Sequence, residues 1–186
     1  MTECTLFRDD FVIITGGPGA GKTTLLQEMQ RQGYSHVPEV AREIIQAEMS
    51  SNGDALPWGN AIKYRDIMLE KSIESYHAAQ SNDPGRLLFF DRGIPDTLAY
   101  SCLIHAPVPE ELESAARHYR YNKQVFILPP WEEIYQTDRE RVQDFKEAQA
   151  TYEIMSETYQ RLEYELVVVP KLPVEERVEF VMEHAL

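Results

Sequence analysis

A glycine-rich run ending in lysine and threonine is the part of this chain whose residue types and spacing best support chemistry. Residues 16–23 read GGPGAGKT and match the pattern G-x-x-x-x-G-K-[ST]. Glycines at these positions let successive backbone N–H groups point into one concavity, where they can hold phosphate oxygens. Lys22 would then reach the β- and γ-phosphates of a nucleoside triphosphate, and the Thr23 hydroxyl would bind Mg²⁺.

The segments on either side of this phosphate loop supply the context that the motif requires. Residues 11–15 form an apolar run that predicts a buried strand, and residues 24–29 predict a helix whose N-terminal dipole favours an anion. A dinucleotide-binding turn is excluded, because G-x-G-x-x-G is absent and Lys22 would have no role. The remaining alternative is a glycine-rich turn that binds nothing. We expect the nucleotide to be bound by Gly16, Gly17, Pro18, Gly19, Ala20, Gly21, Lys22, Thr23 and Thr24.

A second candidate is the acid that follows the apolar run at 87–90. A strand there would place Asp91 at the carboxyl edge of a parallel sheet, beside the phosphate loop. Asp91 could then hold Mg²⁺ directly or through water, or could simply cap the next helix. Arg92 stands where many motor-type ATPases have a glutamate that polarises the attacking water. Because arginine can steady a phosphate but cannot act as a general base, Arg92 favours group transfer over hydrolysis.

Glu39 follows the second predicted strand and would lie at the same edge of the sheet. A carboxylate there could orient an acceptor hydroxyl and accept its proton; Glu39 is the first choice for this role and Asp91 the second. Alternatively, Glu39 complements a helix dipole. Arg42, one turn on, is either a salt-bridge partner of Glu39 or a substrate contact. Asp96 could line the acceptor pocket or serve as a first-turn acid. The predicted acceptor-binding residues are Glu39, Arg42, Arg92 and Asp96.

The charged segment after the fourth predicted strand is a candidate lid. Arg139 and Arg141 fall within a lid of about 130–142, which would close over the nucleotide and deliver arginines to the transferring phosphate. The alternative is a solvated charged loop. Pro170, after the fifth strand, is predicted to contact the base of the nucleotide. Trp58 could stack on a ring, although a hydrophobic anchor for its own loop is the favoured interpretation.

Short apolar runs alternate with longer periodic stretches along the chain, which predicts an α/β fold with helices on both faces of a parallel sheet. The whole chain, 1–186, is interpreted as one domain. The stripe of Ala148, Tyr152, Met155, Tyr159 and Leu162 indicates core packing. The predicted strands are 11–15, 35–38, 86–90, 124–128 and 165–169; the predicted helices are about 22–32, 40–50, 60–81, 95–104, 109–121, 140–163 and one starting near 173.

Composition restricts the partners. The chain has 186 residues and a net charge of −13, which argues against broad nucleic-acid binding and against an anionic membrane surface. The strongest apolar runs are far shorter than the roughly 20 residues of a spanning helix, and the start has no apolar signal region. The five histidines show no metal-ligand spacing. Two cysteines, Cys4 and Cys102, are expected to be reduced thiols, and we expect a cytoplasmic protein.

Taken together, these residues resemble the kinase-type P-loop proteins. The segment EVAR at 39–42 and the spacing of Asp91, Arg92, Asp96 and Tyr100 carry most of the resemblance, which covers about residues 11–181. The chain is most similar to a small bacterial AAA-domain group of predicted ATPases and kinases. It also resembles ribosylnicotinamide kinase and, more loosely, deoxynucleoside and thymidylate kinases.

The resemblance implies a three-layer α/β/α P-loop NTPase fold with a five-stranded parallel sheet of order 2-3-1-4-5 and a short lid. It implies ATP with Mg²⁺ as donor and a small-molecule acceptor, with a homodimer left open. The residues to which it assigns roles are Lys22, Thr23, Asp91, Arg92, Arg139 and Arg141.

Three functions are compatible with these features. The favoured one is an ATP-dependent kinase that phosphorylates a nucleoside or related sugar-bearing metabolite. The second is an NTPase whose nucleotide state controls binding to a protein partner. The third is a nucleotide sensor without useful turnover. Stimulation of ADP release by a small acceptor, rather than by a protein partner, would separate the first from the second.

Overall fold

The chain, described by a computed structural model over residues 5–81, 85–134 and 145–185, is built on a five-stranded parallel sheet. The strands are β1 (Leu6–Phe7), β2 (Phe11–Gly16), β3 (Ser35–Val37), β4 (Leu88–Asp91), β5 (Tyr119–Arg120), β6 (Gln124–Leu128) and β7 (Glu165–Val168). The helices are α1 (Lys22–Arg31), α2 (Val40–Ser51), α3 (Ala61–Ala79), α4 (Ile94–Leu103), α5 (Glu110–His118), α6 (Phe145–Arg161) and α7 (Val174–Ala185).

The order of the main sheet is β3-β4-β2-β6-β7, and each neighbouring pair is parallel. Counted along the chain, these five strands have the order 2-3-1-4-5, which confirms the predicted topology. Strand β2 is central, and its six residues are all buried. In its register with β4, Ile14 lies opposite Asp91, so the end of β4 is level with the start of the phosphate loop.

Alternation along β2 divides the core between the two faces of the sheet. Phe11 and Ile13 pack with α3, α4, α5 and α6, whereas Val12 and Ile14 pack with α1 and α7. This arrangement is the predicted three-layer fold, and it follows from the period-2 geometry of a strand that is covered on both faces. No helix within the described ranges is both long and apolar enough to cross a membrane.

Two local predictions are wrong. The helix predicted over 109–121 ends at His118, and Tyr119–Arg120 instead forms β5, which pairs with β1 in a separate two-stranded sheet. The Tyr76 hydroxyl fastens this pair by donating to the Leu6 and Arg120 carbonyls. Trp58 is 63% exposed and does not anchor its loop; Ala55, which is fully buried, lies in the core there.

Candidate functional site

The phosphate loop joins β2 to α1 and depends on glycine at both of its ends. Gly16 has a φ of +145°, and a Cβ placed there would lie 2.6 Å from the Leu128 carbonyl oxygen of the neighbouring strand. Gly21 has a φ of +86°, in the left-handed region that other residues rarely adopt. Helix α1 then begins at Lys22, so its unpaired N-terminal N–H groups lie at the loop, as anion binding requires.

Lys22 is held inside the loop. Its side chain is buried, and its ammonium donates to the Gly16 carbonyl oxygen at 3.3 Å. Burial lowers the pKa of Lys22, and the nearby Arg92 lowers it further, while the carboxylates Asp91 and Glu39 act in the opposite direction. A desolvated ammonium that has one backbone acceptor retains hydrogen-bonding capacity for an anion. Thr23, which follows it, is exposed.

Arg92 is the centre of the charge network at the sheet edge. Its Nε donates to Glu39 Oε1 at 2.7 Å, and its Nη1 donates to Asp96 Oδ1 at 3.1 Å. Burial alone would lower the pKa of Arg92, but Glu39, Asp96 and Asp91 together raise it above its usual value. Arg92 also has a φ of +71°, a strained conformation for a side chain of this size. The two carboxylate bonds offset that strain, and the guanidinium is therefore fixed between them.

Glu39 occupies the N-cap position of α2, but its side chain makes no capping hydrogen bond. It reaches instead to Arg92, whose Nε is the closer partner; Arg42 Nε lies 3.7 Å from the other carboxylate oxygen and belongs to a half-exposed side chain. Burial would raise the pKa of Glu39, but Arg92, Lys22 and Arg42 together hold it below its usual value. The carboxylate is therefore anionic throughout the neutral range.

Asp91 ends β4 beneath the phosphate loop and is available to a cation. Its Oδ1 is buried and has no hydrogen-bond partner. Burial raises the pKa of Asp91; Glu39 and Asp96 raise it further, against the opposing effects of Lys22 and Arg92. An orphaned carboxylate oxygen beside a phosphate-binding loop fits Mg²⁺, which is held by one or two carboxylates together with substrate phosphates. The described residues contain no cluster of three or more His, Cys, Asp or Glu that could hold a metal without such phosphates.

Asp96 is a first-turn acid of α4, which is one of the two roles predicted for it. It is only 4% exposed, and both of its oxygens accept hydrogen bonds from the protein. The donors are the Thr15 and Tyr159 hydroxyls, the Gly93 N–H and Arg92. Because its acceptor capacity is used in this way, Asp96 positions Arg92 rather than presenting a free carboxylate to an acceptor.

Lys22, Glu39 and Arg92 line one cleft of about 470 Å³, whereas Asp91 and Asp96 line a smaller cavity beside it. One wall is the phosphate loop from Pro18 to Thr24, and the other contains Glu39, Arg42 and Arg92. The smaller cavity, of about 30 Å³, is largely apolar, lies next to the second wall and is also lined by Glu39. Residues of the predicted phosphate site and of the predicted acceptor site thus line the same cleft.

Some predicted residues are not brought to this cleft. Pro170 follows β7 but is not among the residues that line it, and Arg139 and Arg141, with most of the predicted lid, lie outside the described residues. Gly16 and Gly17 shape the loop from behind.

The residues that line the cleft and that sequence reasoning missed include two with functional side chains, Tyr64 and Arg177. Arg177 had a detectable signal, because it lies on the apolar face of α7 between Val174, Val178 and Val181. Tyr64 carried no comparable pattern: α3 has a weak apolar periodicity over its length, and the packing of Tyr64 against Tyr100, with ring centroids 5.5 Å apart, is long-range.

The comparisons with known proteins agree with this geometry. The model of a family described as AAA domain matches residues 11–177. No curated protein matches the sequence.

Among solved structures, deoxyadenosine kinase from M. mycoides with bound dATP is 16% identical with a TM-score of 0.68, over 93% of this chain and 97% of that one. The NadR protein in complex with NR is 18% identical with a TM-score of 0.64, over 94% of this chain and 51% of that one. Shikimate kinase from Acinetobacter baumannii in complex with shikimate is 15% identical with a TM-score of 0.55, over 93% of this chain and 90% of that one. These similarities establish the fold that the chain shares with kinases.

Proposed function

Because the chain belongs to this AAA domain family and has the fold shared by these kinases, we propose that it is an ATP-dependent small-molecule kinase. It transfers the γ-phosphoryl group of ATP to a hydroxyl of a nucleoside-like acceptor. The observation that carries this proposal is the single cleft with a phosphate loop on one wall and the paired Glu39 and Arg92 on the other. A hydrolase needs only a water position opposite the loop, whereas a fixed carboxylate–guanidinium pair suits a second substrate.

The donor side of the proposed reaction uses the loop and the metal. Backbone N–H groups at the start of α1 and the Lys22 ammonium hold the phosphates. Thr23 and Asp91 are the residues that would hold Mg²⁺, which neutralises charge on the phosphates when bound. Arg92, fixed between two carboxylates, stabilises negative charge on the phosphoryl group in transit.

The acceptor side depends on Glu39. During transfer the bond between the γ-phosphorus and its bridging oxygen breaks, a bond from the acceptor oxygen forms, and the hydroxyl proton leaves. Phosphoryl transfer is loose, so the hydroxyl needs accurate placement more than strong deprotonation. The anionic Glu39 can accept a hydrogen bond from that hydroxyl and take its proton late. Glu39 lines the same cleft as Lys22, which supports this role.

A ring-bearing acceptor is supported by the apolar part of the cleft. The Tyr64 ring lines it, together with Ala41 and Ile45, and Tyr64 is supported from behind by Tyr100. Aromatic and aliphatic surfaces next to a few polar groups suit the flat base and polar sugar of a nucleoside. The similar structures include a deoxyadenosine kinase, which agrees with this class of acceptor.

The direct test is a coupled ADP-release assay over a panel of nucleosides and sugar-bearing metabolites, in the presence of Mg²⁺ and ATP. Stimulation by at least one acceptor, with the phosphorylated product identified by mass spectrometry, supports the kinase. ADP release that no small molecule stimulates, but that a protein partner does, would favour the nucleotide switch.

Glu39→Gln tests the assigned role. We expect acceptor phosphorylation to fall by about 10²–10⁴, because the glutamine keeps one acceptor oxygen but loses the charge and the basicity. ATP affinity and the background hydrolysis should hardly change, since the donor groups remain. Glu43→Gln, on the exposed face of the same helix, is the matched control and should have no effect. If phosphorylation survives in Glu39→Gln but is lost in Asp91→Asn with Mg²⁺ still bound, Asp91 is the base.

A further inference from the structure

Arg177 is a buried cation that lacks an anionic partner among the described residues. It lies in the first half of α7 and is only 6% exposed. Its Nε has no hydrogen-bond partner, and its Nη1 lies 3.5 Å from the Gly21 carbonyl oxygen, at the outer limit of a hydrogen bond. Its other neighbour is the Trp131 ring, whose centroid is 5.6 Å from the guanidinium carbon.

Three other sheltered arginines of the described chain are paired with a carboxylate, whereas Arg120, which is partly buried, lies over the Tyr164 ring. Arg8, Arg65 and Arg92 have side chains that are 18%, 5% and 19% exposed, and each has a carboxylate oxygen within 2.7 Å. Arg177 has no such ion pair; Glu175, the acid on its own helix whose charge acts to raise its pKa, is exposed and makes no ion pair with it. The packing of α7 therefore does not explain why an arginine, rather than a methionine or leucine, stands at this position.

The guanidinium lies at the phosphate loop. Arg177 is one of the residues that line the cleft, and a Cβ on Gly21 would be 3.0 Å from its Nη1. Gly21 directly precedes Lys22, the first residue of α1, at the end of the loop that cradles the inner phosphates of a nucleotide. Lys22, by contrast, donates to Gly16 at the opposite end of the loop.

A buried charge without a partner is unfavourable, and the protein shows that penalty here, since burial lowers the pKa of Arg177. An anion in the cleft would remove the penalty by accepting the free N–H groups. A guanidinium is suited to phosphate because its planar array of donors matches the oxygens of that group.

We propose that Arg177 is a binding residue for the phosphate chain of the donor nucleotide, contacting it at the α1 end of the loop. The inference rests on the proposed function, because it requires that a nucleotide occupies the cleft. Since the contact is made at the inner phosphates, which change little during transfer, Arg177 stabilises the bound substrate and the transition state equally. Its loss should therefore raise the KM for ATP and leave kcat unchanged.

The test is calorimetric binding of ADP and of inorganic tripolyphosphate to the full chain and to Arg177→Met, with Arg177→Lys as a second variant. Arg117→Met, which removes the same charge from an exposed position on α5, is the matched control. We expect Arg177→Met to weaken both probes about 10- to 100-fold, the usual effect of losing a charge-assisted hydrogen bond. The nucleotide-free variant should melt at the same or a higher temperature than wild type, because an unpaired buried charge is gone. The affinity of Arg177→Lys for both probes should lie between the affinities of wild type and Arg177→Met.

Other outcomes overturn the proposal. Unchanged binding of both probes in Arg177→Met would show that the phosphates do not contact this residue. Weaker ADP binding with unchanged tripolyphosphate binding would place the contact on the nucleoside instead. A variant that is clearly less stable, together with wild-type binding in Arg177→Lys, would mean that Arg177 only supports α7. Wild-type protein that binds neither probe would refute the proposed function itself, so the two failures are distinguishable.

Discussion

Replacing Asp96 by asparagine is the perturbation whose effect follows most directly from the structure. The carboxylate is 4% exposed and accepts from four donors. Oδ1 accepts from the Thr15 hydroxyl and from Arg92, and Oδ2 accepts from the Tyr159 hydroxyl and from the Gly93 N–H. Asparagine has the same shape, so any effect comes from the lost charge and from the new NH₂ group.

The magnitude follows from which donors can adapt. Either hydroxyl can rotate and accept a hydrogen bond from the new NH₂ group. The guanidinium of Arg92 and the backbone N–H of Gly93 can only donate, and one of them faces the NH₂ group in either orientation of the amide. A buried donor without an acceptor costs about 1–3 kcal/mol, and loss of the charge partner of Arg92 adds to it. We expect the free energy of unfolding to fall by about 3–5 kcal/mol, the usual cost of breaking a buried ion pair.

Urea denaturation monitored by circular dichroism measures this difference, and thermal melting should show a fall of roughly 10 °C. Asp54→Asn is the matched control, because Asp54 pairs with Lys63 in full contact with solvent, and its replacement should have no measurable effect. A loss below about 1 kcal/mol in Asp96→Asn would refute the four-donor arrangement. If a second substitution, at Arg92, restored the stability that Asp96→Asn had lost, the penalty would instead be electrostatic alone.

Three further predictions address the phosphate loop, the lid and the pH dependence of stability. Lys22→Ala should abolish ATP-dependent turnover without lowering the melting temperature, because its buried ammonium has only one backbone acceptor; near-normal activity would contradict the phosphate-loop assignment. Arg139→Ala and Arg141→Ala should lower kcat more than they raise the KM for ATP, and steady-state kinetics that show equal, slight effects would mean a surface loop. The hydrogen bond from Arg8 lowers the pKa of Asp10 in the folded protein. The stability that this ion pair contributes is therefore fully present above the pKa that Asp10 has in the unfolded chain, and it is lost as the pH falls through the lower pKa of the folded protein. The stability difference between wild type and Asp10→Asn should thus be constant near neutrality and shrink below about pH 4, as measured by urea denaturation at several pH values.

The features that could be predicted from the sequence are those determined by neighbouring residues. The GGPGAGKT motif and the apolar run before it fix a strand, a turn and a helix within about twenty positions. The short apolar runs indicate the strands, of which β2, β4 and β6 are buried, and the family resemblance supplies their order. For the same reason Glu39 and Asp91 could be placed at one edge of the sheet: each follows a parallel strand, and parallel strands end together.

Contacts between distant residues could not be predicted. For Asp96 the sequence leaves two roles open, a first-turn acid and an acceptor contact, because it does not show that Tyr159, 63 positions later, donates to its carboxylate. The local sequence of β5 predicts a helix, because its pairing partner, β1, is more than 100 residues away. Trp58 was expected to be buried on its residue type alone, although a small residue, Ala55, fills the core of that loop. Residue type predicts burial only on average, and pairing depends on the whole fold.

The two carboxylates at the sheet edge have pKa values displaced in opposite directions, and this difference bears on how the proposed reaction is divided between them. Burial raises the pKa of Asp91, whose Oδ1 lacks a partner, whereas the cations around Glu39 lower the pKa of that group. In the proposed reaction, the stronger base, Asp91, is therefore the group that would hold the cation, and the weaker base, Glu39, is the group that would face the acceptor. In a loose phosphoryl transfer this is the favourable arrangement, because the acceptor oxygen attacks before its proton is fully removed. Because its pKa is lowered, Glu39 would be anionic near neutral pH and could hold the acceptor hydroxyl of the proposed reaction in place, while Arg92, bonded to it at 2.7 Å, keeps the carboxylate in one position.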